Sequence, residues 1–203
     1  MIVVIDYGIN NSSSVARMIQ KVGGSVKIAT FPEDLDGASK IVLPGVGHFD
    51  EGIKLLNDSG FSDSIKNCVL RLKMPILGIC LGMQLFCESS EEGTRKGLGL
   101  IPGKVLHLSD TSREDLKIPH MGWNTLEITR PNRLLNDCSD EQRFYFVHSY
   151  YVQLSSPELS IASTTYGAKF CSAFEVDNIF GVQFHPEKSH RFGINLMSNF
   201  VDL

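Results

Sequence analysis

Cys80 lies in the stretch Gly78-Ile79-Cys80-Leu81-Gly82-Met83-Gln84, between an apolar run that reads as a buried strand, Ile76 to Ile79, and the start of a helix, Leu81 to Phe86. Gly-x-Cys-x-Gly at a strand-to-helix turn is the cysteine version of a nucleophile elbow. The central residue is strained, and the flanking glycines let strand and helix approach closely. Such a turn lifts the sulfur above the sheet end and aims the first helical amides at whatever it attacks, favouring a thiolate and then an oxyanion. The plain alternative is that Cys80 is a small buried apolar residue.

A thiol nucleophile needs a base and a group to orient that base. His185, in Gly181-Val182-Gln183-Phe184-His185-Pro186-Glu187-Lys188, follows the last apolar run and is expected on the same sheet rim as the elbow. Glu187, beyond a proline that stiffens the turn, can accept a hydrogen bond from the second ring nitrogen. The rival reading, with His185, Glu187 and His190 as metal ligands, lacks a helical histidine pair and a cysteine pair, so no metal is expected. Leu43-Pro44-Gly45-Val46-Gly47-His48 also follows a strand. Its glycines allow an amide to turn toward a ligand, although an ordinary glycine turn would look the same.

The elements that must hold these residues alternate in the first half. Strands are expected at Ile2 to Ile5, Val26 to Ala29, Ile41 to Leu43 and the elbow run. Helices are expected from a Ser12 or Ser13 cap through Val15, Met18, Ile19 and Val22, then through Phe49, Ile53 and Leu56, and from Phe61 to Leu72. This order implies a parallel sheet covered on both faces. From Val105 to Phe184 short β-prone segments dominate (Val105 to Leu108, Leu126 to Thr129, Phe144 to Val147, Tyr150 to Leu154, Ile161 to Thr165, Ile179 to Phe184), suggesting antiparallel additions. Arg191 to Leu203 can close the fold as a helix.

With 42% apolar and 21% charged residues the chain reads as an ordinary globular domain, and its net charge of -4 gives no electrostatic reason to expect nucleic acid or an acidic membrane. Five cysteines without a CxxC pair (Cys68, Cys80, Cys87, Cys138, Cys171), and an N-terminus that turns polar at Asp6, lead us to expect free thiols and a cytoplasmic location.

Gly78 to Gln84 together with Gln183 to Glu187 resembles the class I (triad-type) glutamine amidotransferases. The resemblance runs end to end through Asp6-Tyr7-Gly8, Leu43 to Gly47, Ser89-Ser90-Glu91-Glu92-Gly93, Gly97-Leu98-Gly99-Leu100-Ile101, Pro119-His120-Met121-Gly122-Trp123-Asn124 and Tyr145 to Tyr151. It implies one domain over residues 1–203, a three-layer α/β/α fold whose central, mostly parallel sheet carries added antiparallel strands, and no cofactor. It also implies that Cys80 attacks the side-chain amide of L-glutamine while His185, oriented by Glu187, protonates the departing ammonia and then activates water. The oxyanion would be held by the Leu81 amide and by one from Gly45, Val46 and Gly47 after that strand reorients. Gln84, Glu92, His148, Ser149 and Tyr150 match glutamine-holding positions.

Within the class, the resemblance implies a heterodimer with a (β/α)8-barrel cyclase subunit. That partner uses the ammonia to form imidazole glycerol phosphate and an aminoimidazole carboxamide ribonucleotide in histidine biosynthesis. Pro119, Met121, Trp123, Tyr145 and Lys188 match positions near that interface and would gate the ammonia. Two departures matter. Asn10 replaces a usual glycine, and Lys188-Ser189-His190-Arg191-Phe192-Gly193 resembles a sister branch that supplies ammonia for amidino-sugar synthesis in surface polysaccharides. A cysteine hydrolase or peptidase, and a non-catalytic regulatory subunit, are the readings from other classes.

Overall fold

Alternation along the first strand sets the layers. In β1 (Ile2–Ile5) the side chains of Val3 and Ile5 pack into one core while Ile2 and Val4 enter another, as the two-residue period of a strand buried on both faces requires. The structure, a computed structural model, describes residues 1–110, 116–136 and 142–203, so Cys138 lies outside the described residues.

The elements run β1, α1 (Ser12–Lys21), β2 (Val26–Ala29), β3 (Lys40–Gly45), α2 (Phe49–Asp58), α3 (Phe61–Lys66), β4 (Ile76–Cys80), α4 (Leu81–Leu85), β5 (Ser89–Ser90), β6 (Gly103–His107), β7 (His120–Thr125), β8 (Glu127–Ile128), β9 (Arg143–His148), β10 (Tyr150–Leu154), β11 (Ser160–Tyr166), β12 (Ala168–Val176), β13 (Ile179–Val182) and α5 (His190–Asp202). Among the described residues one eleven-stranded sheet has the order β2-β1-β3-β4-β13-β12-β10-β6-β5, with β11 beside β12 and β8 beside β11. The strands from β2 to β13 pair in parallel, and β12, β10 and β6 extend the sheet antiparallel. β7 and β9 form a separate antiparallel ribbon.

Phe49, Ile53 and Leu56 of α2 and Phe61 and Ile65 of α3 fill the core on one face, while Val15 and Ile19 of α1 and Leu196, Met197 and Phe200 of α5 fill the other. Each of these fully buried side chains contributes about 1.5–3 kcal/mol, so covering both faces is what makes a wide parallel sheet stable. The result is the expected three-layer α/β/α arrangement.

Three local expectations need correction. Ser12 does not cap α1. It is the first helical residue, its hydroxyl donates to Asp6 Oδ2 at 2.7 Å, and Asn10 Oδ1 accepts its backbone N–H at 3.0 Å. Asn10, the departure from glycine, also donates to Asp6 Oδ1 at 3.3 Å and so ties the loop after β1 together. The helix expected from Phe61 to Leu72 widens into a π turn over Asn67–Arg71. β12, nine residues long, was not expected, because Ala168-Lys169 and Glu175 dilute its β-prone pattern and only pairing with both β11 and β13 extends it.

Candidate active site

The carboxyl ends of β1, β3, β4 and β13 meet on one rim of the sheet, the edge where open α/β sheets place ligands. β4 lies between β3 and β13, with Gly45 opposite Cys80 and Val182 opposite Ile79 in the ladders. Residues after Val182 are thereby carried past the elbow, although they lie about a hundred positions further along the chain.

Cys80 ends β4 at φ 54°, ψ −111°, a left-handed conformation for a residue with a side chain, which costs about 1–3 kcal/mol. Close packing holds it there. A methyl at Gly82 would run into the Leu43 carbonyl oxygen, and one at Gly78 would sit 2.6 Å from the Phe86 ring and 2.7 Å from the Met83 nitrogen. The glycines on either side of Cys80 are therefore what lets α4 sit down on β3 and β4.

His185 follows β13 in an extended conformation. Its N–H donates to the Tyr145 carbonyl at 2.9 Å, and its own carbonyl accepts from the Ser189 hydroxyl, which in turn accepts the Tyr145 N–H at 3.0 Å. Nδ1 meets Glu187 Oε1 at 2.8 Å, and both side chains are almost fully enclosed, 2% and 3% exposed. Asn11 Nδ2 donates to the same oxygen at 3.4 Å. Burial pushes the imidazole toward neutrality, but the Cys80 sulfur and the Glu187 carboxylate outweigh it and raise its proton affinity well above the histidine norm. Burial likewise opposes ionisation of Glu187, yet His185 and Asn11 hold it below the usual carboxylate range. His185 Nε2 takes no hydrogen bond among the described residues and is the nitrogen left for the thiol and a substrate. The arrangement sets the Cys80 sulfur beside an imidazole that holds its proton tightly, the pairing that a cysteine nucleophile needs.

Cys80 is 7% exposed at the bottom of a cleft of about 330 Å3, which suits a small molecule. The cleft is also lined by Leu81, Gln84, Glu92, Pro119, His148, Ser149, Tyr150 and His185, among others. Glu92 Oε2 accepts the Phe49 N–H at 2.8 Å at the start of α2, which fixes the carboxylate and leaves its other oxygen to the cleft. Gln84 is buried, and its Nε2 donates to the Tyr150 carbonyl and to Gln183 Oε1, both at 3.0 Å, so only its carbonyl oxygen remains for a ligand. Both ring nitrogens of His148 are engaged as well, with Tyr150 O at 2.8 Å and with His120 Nδ1 at 2.9 Å. A ligand beside His148 therefore meets the ring edge and the backbone.

Val46 and Gly47 line the same cleft beyond β3, but the Val46 N–H points to the Ile9 carbonyl at 3.2 Å. For that amide to serve an oxyanion, the peptide must turn over. Gly47 at φ +98° and a Val46 side chain 41% exposed leave the segment free to do so.

The outer ribbon gathers the remaining candidates. Trp123 and Met121 alternate outward on β7 and are 46% and 62% exposed. Trp123 lies edge-on to Tyr145 at 6.0 Å and stacks parallel to His190 at 5.3 Å, while Lys188 Nζ sits 5.5 Å over the Tyr145 ring. Pro119 connects this surface to the cleft. His190 thus faces the ribbon and His185 faces the sulfur, and among the described residues no group of three His, Cys, Asp or Glu could hold a metal ion.

Sequence reasoning missed Gln183, whose Nε2 donates to Cys80 Sγ at 3.7 Å, and Val147, whose carbonyl lies 3.9 Å from the same sulfur. It also missed Asn11 and His120. The position of Gln183, two residues before His185 and next to the elbow strand, was the one available signal.

Solved structures share this fold at low identity. One from Thermotoga maritima, described as the structure of PurLQS, matches with TM-score 0.75 at 17% identity, covering 99% of this chain and 97% of that one. Another, described as the glutaminase domain of Trypanosoma brucei CTPS with bound acivicin, matches with TM-score 0.67 at 17% identity, covering 98% and 92%. Closer in sequence are proteins named imidazole glycerol phosphate synthase subunit HisH 2 from Methanococcus maripaludis, 47% identical over 99% of this chain and 98% of the relative, and from Pseudomonas aeruginosa, 45% identical over the whole of both. The family described as glutamine amidotransferase class-I matches residues 3–203, which include the elbow, the histidine and the glutamate. With the sulfur, imidazole and carboxylate assembled on one rim and the family pattern spanning nearly every residue, the chain belongs to the class-I glutamine amidotransferases.

Proposed function

We propose that the chain is the glutamine-hydrolysing subunit of an imidazole glycerol phosphate synthase, acting as one unit over residues 1–203. It would pass ammonia to a (β/α)8-barrel cyclase in the cytoplasm. The observation that carries this reading is the Cys80, His185 and Glu187 constellation at the floor of a cleft with a fixed carboxylate, Glu92. The names of the relatives favour the histidine pathway over amidino-sugar synthesis.

In this reading Glu92 takes the ammonium group of L-glutamine, with Gln84 Oε1, Ser149 and Tyr150 holding the rest of the amino-acid end. Cys80 Sγ attacks the side-chain amide carbon. The resulting oxyanion is held by the Leu81 amide and by Val46 once its N–H has left Ile9. His185 gives its Nε2 proton to the leaving nitrogen, releasing ammonia and leaving a glutamyl thioester, and then takes a proton from water to hydrolyse that ester. Glu187 keeps the ring oriented and balances its charge. Ammonia leaves past Pro119 toward the ribbon of Met121, Trp123, Tyr145 and Lys188, where the barrel docks.

The test mixes the purified chain with the barrel partner, then follows synthesis with glutamine or with ammonium salt. Cys80→Ala should abolish the glutamine-dependent reaction and leave the ammonia-dependent one. Loss of neither ends the catalytic claim, and peptide turnover in place of glutamine turnover would favour a peptidase.

A further inference from the structure

Two arms of hydrogen bonds meet at the Tyr150 carbonyl, one from the outer ribbon and one from Gln84, which also leads through Gln183 to the nucleophilic sulfur, and the donor in each bond is fixed. On β7, Asn124 Oδ1 accepts the Thr125 N–H at 2.8 Å and Asn124 Nδ2 donates to the Thr165 carbonyl at 3.2 Å, so the amide cannot be turned around. Its nitrogen faces His120 Nε2 at 3.2 Å, which must therefore accept. A neutral ring that accepts at Nε2 carries its proton on Nδ1, and that atom meets His148 Nε2 at 2.9 Å. His148 is thereby protonated on Nδ1, the atom 2.8 Å from the Tyr150 carbonyl, which can only accept. The same carbonyl fixes Gln84, whose Nε2 faces it at 3.0 Å. This nitrogen, also 3.0 Å from Gln183, requires Oε1 there, and so the Gln183 Nε2 group is the one turned to Cys80 Sγ at 3.7 Å.

The inner members are confined, while Asn124 is only partly buried. Gln183 is fully buried, His120 and His148 are 3% and 6% exposed, and His120 lies stacked between Tyr166 at 4.0 Å and Phe146 at 4.7 Å. Burial lowers the proton affinity of both imidazoles, to about 4 for His120 and about 3 for His148, where the neighbouring His120 and His185 add to the effect. Both rings are neutral at pH 7, as the chain of donors requires. His148 and Gln84 both donate to the Tyr150 carbonyl, so the histidine arm ends there, and only the inner bonds from Gln84 through Gln183 to the sulfur run in series, where they polarise one another in a low-dielectric interior.

We propose that these bonds position Gln183 as a fixed hydrogen-bond donor that steadies the Cys80 sulfur when it carries charge, with His120 and His148 acting as positioning residues by holding the Tyr150 carbonyl to which Gln84 is bonded. The inference rests on reading Cys80 as the nucleophile. It assigns a task to the buried side of the cleft, where the rings of His120 and His148 have no nitrogen to offer a substrate. It also makes β7, the strand that presents Met121 and Trp123, the anchor of the outer arm.

The experiment follows alkylation of Cys80 by iodoacetamide in the intact chain across pH, with peptide mapping to separate Cys80 from the other thiols. His185 and Tyr7, the titratable groups that act on the sulfur, stay unchanged in every variant. Gln183→Leu should slow alkylation at pH 7 about tenfold and move the pH profile up by about one unit. His120→Phe should move it the same way by less, and the double variant no further than Gln183→Leu, because without Gln183 the bonds no longer reach the sulfur. An unmoved profile in Gln183→Leu overturns the proposal, as do additive effects in the double variant. If a variant fails to fold, nitrogen-15 spectra of the wild-type chain decide. Both His120 and His148 should be neutral and protonated on Nδ1, and protonation of either on Nε2 overturns the proposal. Neither readout involves glutamine, so the proposal can fail while Cys80→Ala still abolishes glutamine-dependent synthesis, and the reverse.

Discussion

Replacing Glu187 by Gln keeps the shape of the site and removes one charge. The carboxamide can still offer its oxygen to His185 Nδ1, now 2.8 Å from Glu187 Oε1, so ring orientation is largely kept. What changes is the strength of that contact. A hydrogen bond to a charged partner contributes about 1.5–3 kcal/mol and a neutral one about 0.5–1.5, a loss of about 1–2 kcal/mol in this enclosed pair. At about 1.4 kcal/mol per pH unit, the loss lowers the proton affinity of His185 by roughly one unit, with Cys80 still supporting part of the original rise. A weaker imidazolium is a poorer partner for the sulfur, and at about 1.4 kcal/mol per factor of ten the same 1–2 kcal/mol should lower kcat for glutamine about 5–30-fold in the complex while ammonia-dependent synthesis is untouched.

The same change has a signature in stability. His185 holds its proton more tightly folded than unfolded, so its contribution is complete below the unfolded value of 6.5 and is lost as pH rises through the raised folded value. Glu187 is shifted down, so its contribution is present above 4.5 and is lost as pH falls through its lowered folded value. The wild-type advantage in Tm over Glu187→Gln should therefore be widest between about pH 5 and 6.5, at roughly 2–8 °C, and should shrink on the alkaline side. A kcat within threefold of wild type, or a Tm difference that is flat from pH 5 to 9, would refute the reasoning.

Three further outcomes follow from the geometry. Glu92→Gln should raise KM for glutamine roughly 10–100-fold with little change in kcat, because the Phe49 amide keeps an oxygen partner while the substrate ammonium loses its charge partner; an unchanged KM removes Glu92 from substrate binding. In hydrogen exchange, the Val46 amide, bonded to Ile9 O, should be protected in the isolated chain and lose protection when glutamine and the barrel partner are both present, whereas protection that persists during turnover excludes it as an oxyanion donor. Trp123→Ala should weaken binding of the barrel by about 2 kcal/mol, roughly thirtyfold in a titration, with Tm nearly unchanged since half the ring is already in solvent; equal affinity would place docking elsewhere.

Much of the frame is written locally. The apolar run of β1 coincides with its strand at both ends, because a continuous apolar run of that length has few other places to be buried, and β2 keeps the expected ends although it contains Lys27 and buries only Ala29. Gly78 and Gly82 announce the elbow from spacing alone, since only residues without a Cβ fit against Phe86 and Leu43. The sequence also contains every group of the Cys80, His185 and Glu187 set.

Other features depend on contacts between distant residues. Ladder pairing of β13 with β4 carries Gln183 and His185 past the sulfur, and no window of sequence contains that register. Whether Trp123 is core or surface turned on the pairing of β7 with β9 as a ribbon outside the main sheet. The direction of the Val46 amide depends on a carbonyl in the loop after β1, and the protonation pattern of His148 depends on Asn124, on the neighbouring strand, through His120. Residue types and short-range periodicity fix which chemistry is available. Hydrogen-bond partners and burial, which arise only once the chain has closed on itself, decide which atoms are free to perform it.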